Sequence, residues 1–467
     1  MTPCNRLAME DALLPHPLTS RPEPRRAEAG GGSVKREPQA GGAAEGGGED
    51  RRAFLVTIGN NATTHHADPV FEPVFESVGS AKDRRVATDM ARQLVAETCG
   101  DLRCADKLRY CGRRIRRDHP GDVPVVHHPG GYAYTTGLQT CGSVWACPAC
   151  SYKVRKKRAL EIAFVIAAHK AAGGSVLYLT LTVSHQQGEA LDELWTMVQD
   201  GWAYCRSGAK WKRFRERHGI DGYIRNLEVT QGPSGWHPHL HVLVFVDHEV
   251  DPYEIGGTMG LFARYFRKQW ITFMETRHGR NVSAEFGVDL RLVKADDAEG
   301  VGMYCTKAGY EMALADSKVG RAEGNRHPFA IARDAATTGD VADINLYREW
   351  IVSSHGRRSI TWSKELRAKH GLGKEKTDEE LASETDGGDV VCTVDRELWW
   401  QIVCTRTGAR ARFLAHLDRG LAGLPAAVGE LVAAGLVVTV QHRSGEPPRL
   451  ARTKHTNQQH QQRKAIQ

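Results

Sequence analysis

From Val176 to Val183 (VLYLTLTV) apolar and polar residues alternate, with Leu177, Leu179, Leu181 and Val183 on one face and Tyr178, Thr180 and Thr182 on the other. That two-residue period predicts a half-buried strand. Ile224 to Thr230 and His239 to Val246 read as two more strands, joined by the turn-rich segment GPSGWHP into a β-hairpin. Val288 to Val293 is a fourth strand, and Arg357 to Leu372 is a strand followed by a short helix. A helical period is expected in Asp83–Thr98, Ser151 to about Lys170, Leu191 to about His218, Tyr253 to about Thr276, Asp297 to about Asp316 and Asp340–Ser354. Strands without a strict β-α-β alternation, mixed with helices, predict an α+β fold with helices on one face of the sheet.

Composition sets the boundaries of this folded part. Residues 1–50 contain GGG twice and few large apolar groups, so they cannot offset chain entropy and are expected to be disordered. Residues 83–158 form a cysteine-rich, basic module, residues 159–372 the main domain and residues 373–389 an acidic linker. Residues 390–445 form a small helical C-terminal module whose periodicity allows a winged helix, and residues 446–467 are expected to be a disordered tail. The chain of 467 residues has 41% hydrophobic and 25% charged residues, enough for two or three domains. Its apolar runs fall short of the roughly 20 residues that span a bilayer, and no signal-peptide core is evident, so no membrane partner and a cytoplasmic location are expected.

The net charge of +7 matters less than where it lies. Arg113, Arg114, Arg116 and Arg117 form one basic knot, and Lys153, Arg155, Lys156, Lys157 and Arg158 form another. Such runs are commonly solvated helix faces, but these two bracket a cysteine cluster. Arg155, Lys156, Lys157 and Arg158 are therefore expected to contact nucleic-acid phosphates. Within the cluster, Cys141, Cys147 and Cys150 supply three thiolates, the last two from a Cys-Pro-x-Cys turn. Cys111 is the preferred fourth ligand and Cys104 the alternative, giving a structural Zn²⁺ site.

His239 and His241 point to the same side of their strand and can grip one divalent ion. Glu228, across the hairpin, is the candidate third ligand, and a carboxylate suits Mg²⁺ or Mn²⁺. His237, before Pro238 in the turn, is expected to face phosphate or to support the pair. Two imidazoles flanking one residue of a very apolar strand are costly unless something binds them. Downstream, Tyr304, Lys307 and Glu311 share a helix face. A tyrosyl oxygen needs a metal-polarised phosphate or a cation to attack at neutral pH, and Lys307 can supply the cation.

Over about Cys104 to Leu372 the chain resembles the HUH endonuclease superfamily, specifically the rolling-circle replication initiators of small bacterial plasmids. LYLTLT (177–182) is similar to the family's first motif, GWHPHLHVLVF (235–245) to its metal motif and YCTK (304–307) to its Tyr-x-x-Lys motif. CGSVWACPAC (141–150) and ITWSKELR (360–367) resemble further family segments. The resemblance implies a five-stranded antiparallel sheet flanked by helices, the HUH endonuclease fold. It implies a nickase in which His239, His241 and Glu228 hold the metal and Tyr304 attacks single-stranded or supercoiled origin DNA. The enzyme stays joined to the 5′ phosphate and leaves a 3′ hydroxyl primer, and host helicase and polymerase are possible partners. Some relatives carry a glutamate one helical turn before the tyrosine for strand rejoining. Here that position is Gly300, Glu299 lies one residue earlier, and Tyr310 projects to another face.

Two other readings have specific consequences. A two-tyrosine transposase of the same superfamily would need a second tyrosine one turn on, where Ala308 stands, and a conjugative relaxase would place its tyrosine ahead of the histidines. A non-catalytic, zinc-dependent DNA-binding regulator would use the cysteine module but leave the histidine pair without a purpose.

Overall fold

The computed structural model describes residues 105–251, 260–283, 287–293, 325–404 and 408–453, together with Arg85, Thr88, Asp89, Ala91, Arg92, Leu94 and Val95 of a preceding helical segment. In chain order the described elements are α1 (Ala105–Tyr110), β1 (Val123–His128), β2 (Tyr132–Thr135), α2 (Pro148–Ala171), β3 (Ser175–Thr182), α3 (Leu191–Cys205), α4 (Gly208–Arg217), β4 (Ile220–Gly232) and β5 (Gly235–Val246). After these come α5 (Leu261–His278), β6 (Val288–Leu292), α6 (Pro328–Thr338), α7 (Val341–Ser354), β7 (Ile360–Trp362), α8 (Leu366–Lys369) and α9 (Asp378–Ser383). The C-terminal part contains β8 (Asp389–Val394), α10 (Arg396–Cys404), α11 (Ala409–Leu417), α12 (Leu424–Ala433), β9 (Val438–Gln441) and β10 (Arg449–Arg452).

One sheet has the order β6-β3-β5-β4-β7 and is antiparallel throughout. The expected five-stranded sheet is therefore present, with β5 at its centre. The hairpin is tighter than GPSGWHP implied: β4 and β5 stay paired as far as Gly232 and Gly235, leaving only two residues in the turn. His237 thus lies in β5, opposite Thr230, and not in the turn. Pro238 is tolerated in this central strand because β3 has already ended at its pairing with His239, so β5 has a partner on one side only there.

Helices cover both faces of the sheet, which corrects the one-face expectation. On one side Ile162, Val165 and Ile166 of α2 pack on Val176, Tyr178, Ile224, Leu243 and Phe245. On the other, Trp195, Trp202, Phe266, Trp270 and Trp350 pack on Leu177, Leu179, Leu240, Val242 and Val244. With both faces covered, the nearly continuous apolar run of β5 is explained.

A second sheet, in the order β2-β1-β8-β10-β9, has no counterpart in the sequence reading. It unites the hairpin of the cysteine-rich segment with the C-terminal module, through antiparallel β1–β8 and parallel β8–β10 pairing. Residues 390–445 are therefore not a separate helical module, and residues 449–452 belong to a strand and not to a disordered tail. The acidic linker also needs correction: α9 carries a Thr377–Glu380 capping box and buries Leu381 and Ala382.

Candidate functional site

Strand register decides which side chains meet. Thr180, His241 and Asn226 form one row across β3, β5 and β4, and Thr182, His239 and Glu228 form the next. Residues paired across an antiparallel sheet share a face, so the two histidines and Glu228 lie on one face of the sheet. His241 is buried, its Nε2 lies 3.0 Å from Glu228 Oε2, and its Nδ1 shares a 3.2 Å hydrogen bond with Thr180 Oγ1. Such a bond at one nitrogen orients the other, the usual arrangement behind a metal-binding imidazole. Two ligands of one octahedral ion, each about 2.1 Å from it, stand about 3 Å apart at a right angle, so this pair fits a shared Mg²⁺ or Mn²⁺.

The imidazoles form a ladder. Ring centroids are 6.1 Å apart for His239–His241, 4.0 Å for His237–His239 and 4.3 Å for His185–His237. His185, in the loop after β3, was missed because nothing near it in sequence repeats; only the hairpin's length brings His237 to it. Burial, reinforced by His185, pushes the His237 imidazole down to about 4, with Glu228 opposing. His237 is thus held neutral, as a metal-binding or hydrogen-bonding ring must be.

The second centre is the cysteine cluster. Cys111, Cys141, Cys147 and Cys150 are all buried, with their sulfurs within 4.8 Å of one another. Individual separations are 3.4 Å for Cys111–Cys150, 3.6 Å for Cys141–Cys150 and 3.7 Å for Cys111–Cys147. Four sulfurs about 2.3 Å from a tetrahedral ion stand about 3.8 Å apart, so the cluster can hold a metal, and thiolate softness fits zinc. Among the described residues no second group of three or more His, Cys, Asp or Glu converges this tightly. Cys147 caps α2 and Pro148 opens it, which fixes two sulfurs on the first turn. Hydrogen bonds from Cys141, Cys147 and Cys150, aided by the Arg92 guanidinium, hold the Cys111 thiol well below its ordinary value. Cys104, the alternative ligand, lies outside the described residues.

Two of the four α2 residues expected to contact phosphate, Arg155 and Arg158, are buried, and Lys156 and Lys157 are half-buried. Arg155 is 0% exposed: its Nε donates to Ser151 Oγ, its guanidinium lies 5.2 Å from the Trp145 ring, and Nη1 and Nη2 have no hydrogen-bond partner. Burial pushes its pKa down to about 10, against the attraction of Asp378 and Glu228. Arg158 is also buried, against Glu161, Glu375 and Asp378, and Lys157 is paired with Glu384. Asp378 of α9, with Glu375 before it and Glu384 after it, supplies acidic partners from across α2, and Glu161 supplies one from α2 itself. Tyr304, Lys307, Glu299, Glu311 and Tyr310 lie outside the described residues.

The comparisons with known proteins bear on this geometry. Residues 136–253 match the family described as replication protein, a span that contains His185, Glu228, His237, His239 and His241. The chain is 27% identical over 386 residues to the protein rep of Streptomyces lividans, covering 68% of this chain and 83% of that protein. It is 32% identical over 154 residues to a neomycin resistance protein of Streptomyces cyanogenus, covering 28% of this chain and 35% of that one. No solved structure matches the chain. The resemblance to replication initiators is thereby borne out. Among the described residues no helix is long and apolar enough to cross a membrane.

Proposed function

We propose that the chain initiates rolling-circle replication of a plasmid as an HUH nickase, cutting single-stranded origin DNA through a covalent tyrosyl intermediate. The observation that carries this reading is the pair His239 and His241 facing Glu228 across β4 and β5, inside the span that matches the replication-protein family. His239, His241 and Glu228 would hold Mg²⁺ or Mn²⁺, which when bound supplies Lewis acidity at the scissile phosphate. Tyr304 Oη loses its proton and bonds to phosphorus, the bond from phosphorus to the 3′ oxygen breaks, and that oxygen takes a proton. The products are a 5′-phosphotyrosine and a 3′ hydroxyl primer. Lys307 stabilises the phenolate, and Glu299 is the candidate for the strand-rejoining step. Cys111, Cys141, Cys147 and Cys150 would hold a structural Zn²⁺ that anchors the start of α2. Host helicase and polymerase would then act on the opened strand, in the cytoplasm.

The test is incubation of the intact chain with Mn²⁺ or Mg²⁺ and labelled origin DNA, single-stranded or supercoiled. A covalent adduct is expected, absent in Tyr304→Phe and reduced by about 100-fold or more in His241→Ala. Adducts that persist in Tyr304→Phe would move the nucleophile elsewhere. DNA binding without any nicking by the wild type would favour the non-catalytic regulator, and adducts on mobile-element ends alone would favour the transposase.

A further inference from the structure

A cavity of about 840 Å³ lies beside the cysteine cluster, between α2, β2 and α11. It shares no described lining residue with the histidine site. Its wall carries six cations, Arg85, Arg92, Arg116, Lys153, Lys376 and Arg410, against one carboxylate, Glu384. Several of these charges have structural partners: Arg85 is paired with Asp418, and Lys376 with Glu384. The deepest two are Arg92 and Arg410, and Arg92 also has the Cys111 and Cys147 sulfurs beside it. Arg92 Nη1 and Arg410 Nη1 share a single oxygen, Asp89 Oδ1, at 2.8 and 2.9 Å. Their other ends converge on Gly112, where a Cβ would lie 3.2 Å from Arg92 Nη2 and 3.5 Å from Arg410 Nη2.

Buried like charges this close are costly without anions beside them: Arg92 has Asp89 and the Cys111 sulfur, whereas Arg410 has its share of Asp89 against the repulsion of Arg92, Arg113 and Arg85. Arg92 is 1% exposed, yet its Nε has no hydrogen-bond partner, and neither does Arg410 Nε. Burial, together with Arg92, Arg113 and Arg85, pushes the Arg410 pKa down to about 10 against the attraction of Asp89. A tetrahedral oxyanion suits this array because guanidinium forks recognise phosphate oxygens in pairs. The cavity is far larger than one phosphate and falls in the size range of pockets that enclose a nucleotide-sized ligand. It also offers a π face: the Tyr134 ring lines it, with Lys153 5.3 Å from the ring centroid and Tyr132 6.2 Å away. Aromatic rings beside cations are the elements with which proteins hold a base and its phosphate.

We propose that this cavity binds a nucleotide, with Arg92, Arg410 and Arg116 on its phosphate and Tyr134 against its base. The nucleotide belongs either to a DNA strand or to a free nucleoside triphosphate. Of the basic residues between Arg113 and Arg117, Arg116 lines this cavity.

The test uses the intact chain and the double variant Arg116→Ala/Lys376→Ala, whose side chains are 42% and 59% exposed and can be removed without disturbing the interior. Exposed Arg291 and Lys364, far along the chain, give a control, Arg291→Ala/Lys364→Ala, with the same loss of charge. Circular dichroism melts establish that all three are folded. For a labelled single-stranded oligonucleotide measured by anisotropy, the cavity variant is expected to bind about ten-fold more weakly, with a shallower salt dependence, and the control to bind within about two-fold of wild type. Alternatively, ATP raises the melting temperature of wild type and control but not of the cavity variant while oligonucleotide affinity is unchanged, which assigns the site to free nucleotide. Equal losses in the cavity and control variants, or no loss of either ligand, would overturn the proposal. Because neither arm measures nicking, failure of the nickase reading would leave this result unchanged.

Discussion

His237 sits between His185 and His239, and that position decides its chemistry more than its sequence neighbours do. With its folded pKa near 4 and an unfolded value of about 6.5, the unfolded chain takes up the proton first as pH falls. Its neutral form therefore contributes stability that is complete above about pH 6.5 and is lost as pH falls toward 4. Melting temperatures measured from pH 7 to 4 without added divalent metal are expected to fall, by an effect on the order of 2 kcal/mol from this group. The fall should be shallower in His237→Asn; identical profiles would show that the ring titrates normally. At this scale the sequence was informative where chemistry and period coincide. His239, His241 and Glu228 were legible because strand period and hairpin pairing are local rules. Arg155 was not, because a basic residue on a helix looks the same in sequence whether it faces solvent or the Trp145 ring.

At the scale of elements, apolar period identified β3, β4, β5, β6 and α7 with small shifts of boundary. Composition misjudged residues 373–389, because acidic residues outnumber the apolar ones that matter. Leu381 and Ala382 are buried while Glu384 and Asp378 engage Lys157 and Arg158 of α2. The segment is a strap across α2, not a free spacer. Leu381→Ala is expected to cost about 2 to 5 kcal/mol by urea denaturation, as for a filled core position. A loss below about 0.5 kcal/mol would restore the linker interpretation. The same strap region supplies counter-charges to Lys157 and Arg158.

Across the whole molecule, the second sheet joins residues about 270 positions apart, with Val125 in register with Cys392 and Val123 with Val394. β10 lies between β8 and β9, and its Leu450 is fully buried in the core beneath this sheet. Truncation after Gly445 would remove a central strand and expose two edges. We expect that truncation to lower the melting temperature by more than 10 °C or to yield insoluble protein, as measured by thermal scanning of the purified chain. An unchanged melting temperature would mean that the C-terminal part folds without β10. The fold of this part also builds the walls of the arginine-lined cavity, which joins Arg92, Arg116 and Arg410 from segments with no sequence proximity.

The sequence by itself determined the strands of the main sheet, the histidine pair with its carboxylate and the four cysteines, because each depends on short-range period or on spacing with a chemical meaning. Tertiary structure alone decided which basic residues are buried, that the N- and C-terminal parts share a sheet, and that His185 joins the histidine ladder. Those features depend on contacts between residues far apart in the chain. Burial and pairing change a side chain's charge state and reach by amounts that no local pattern encodes.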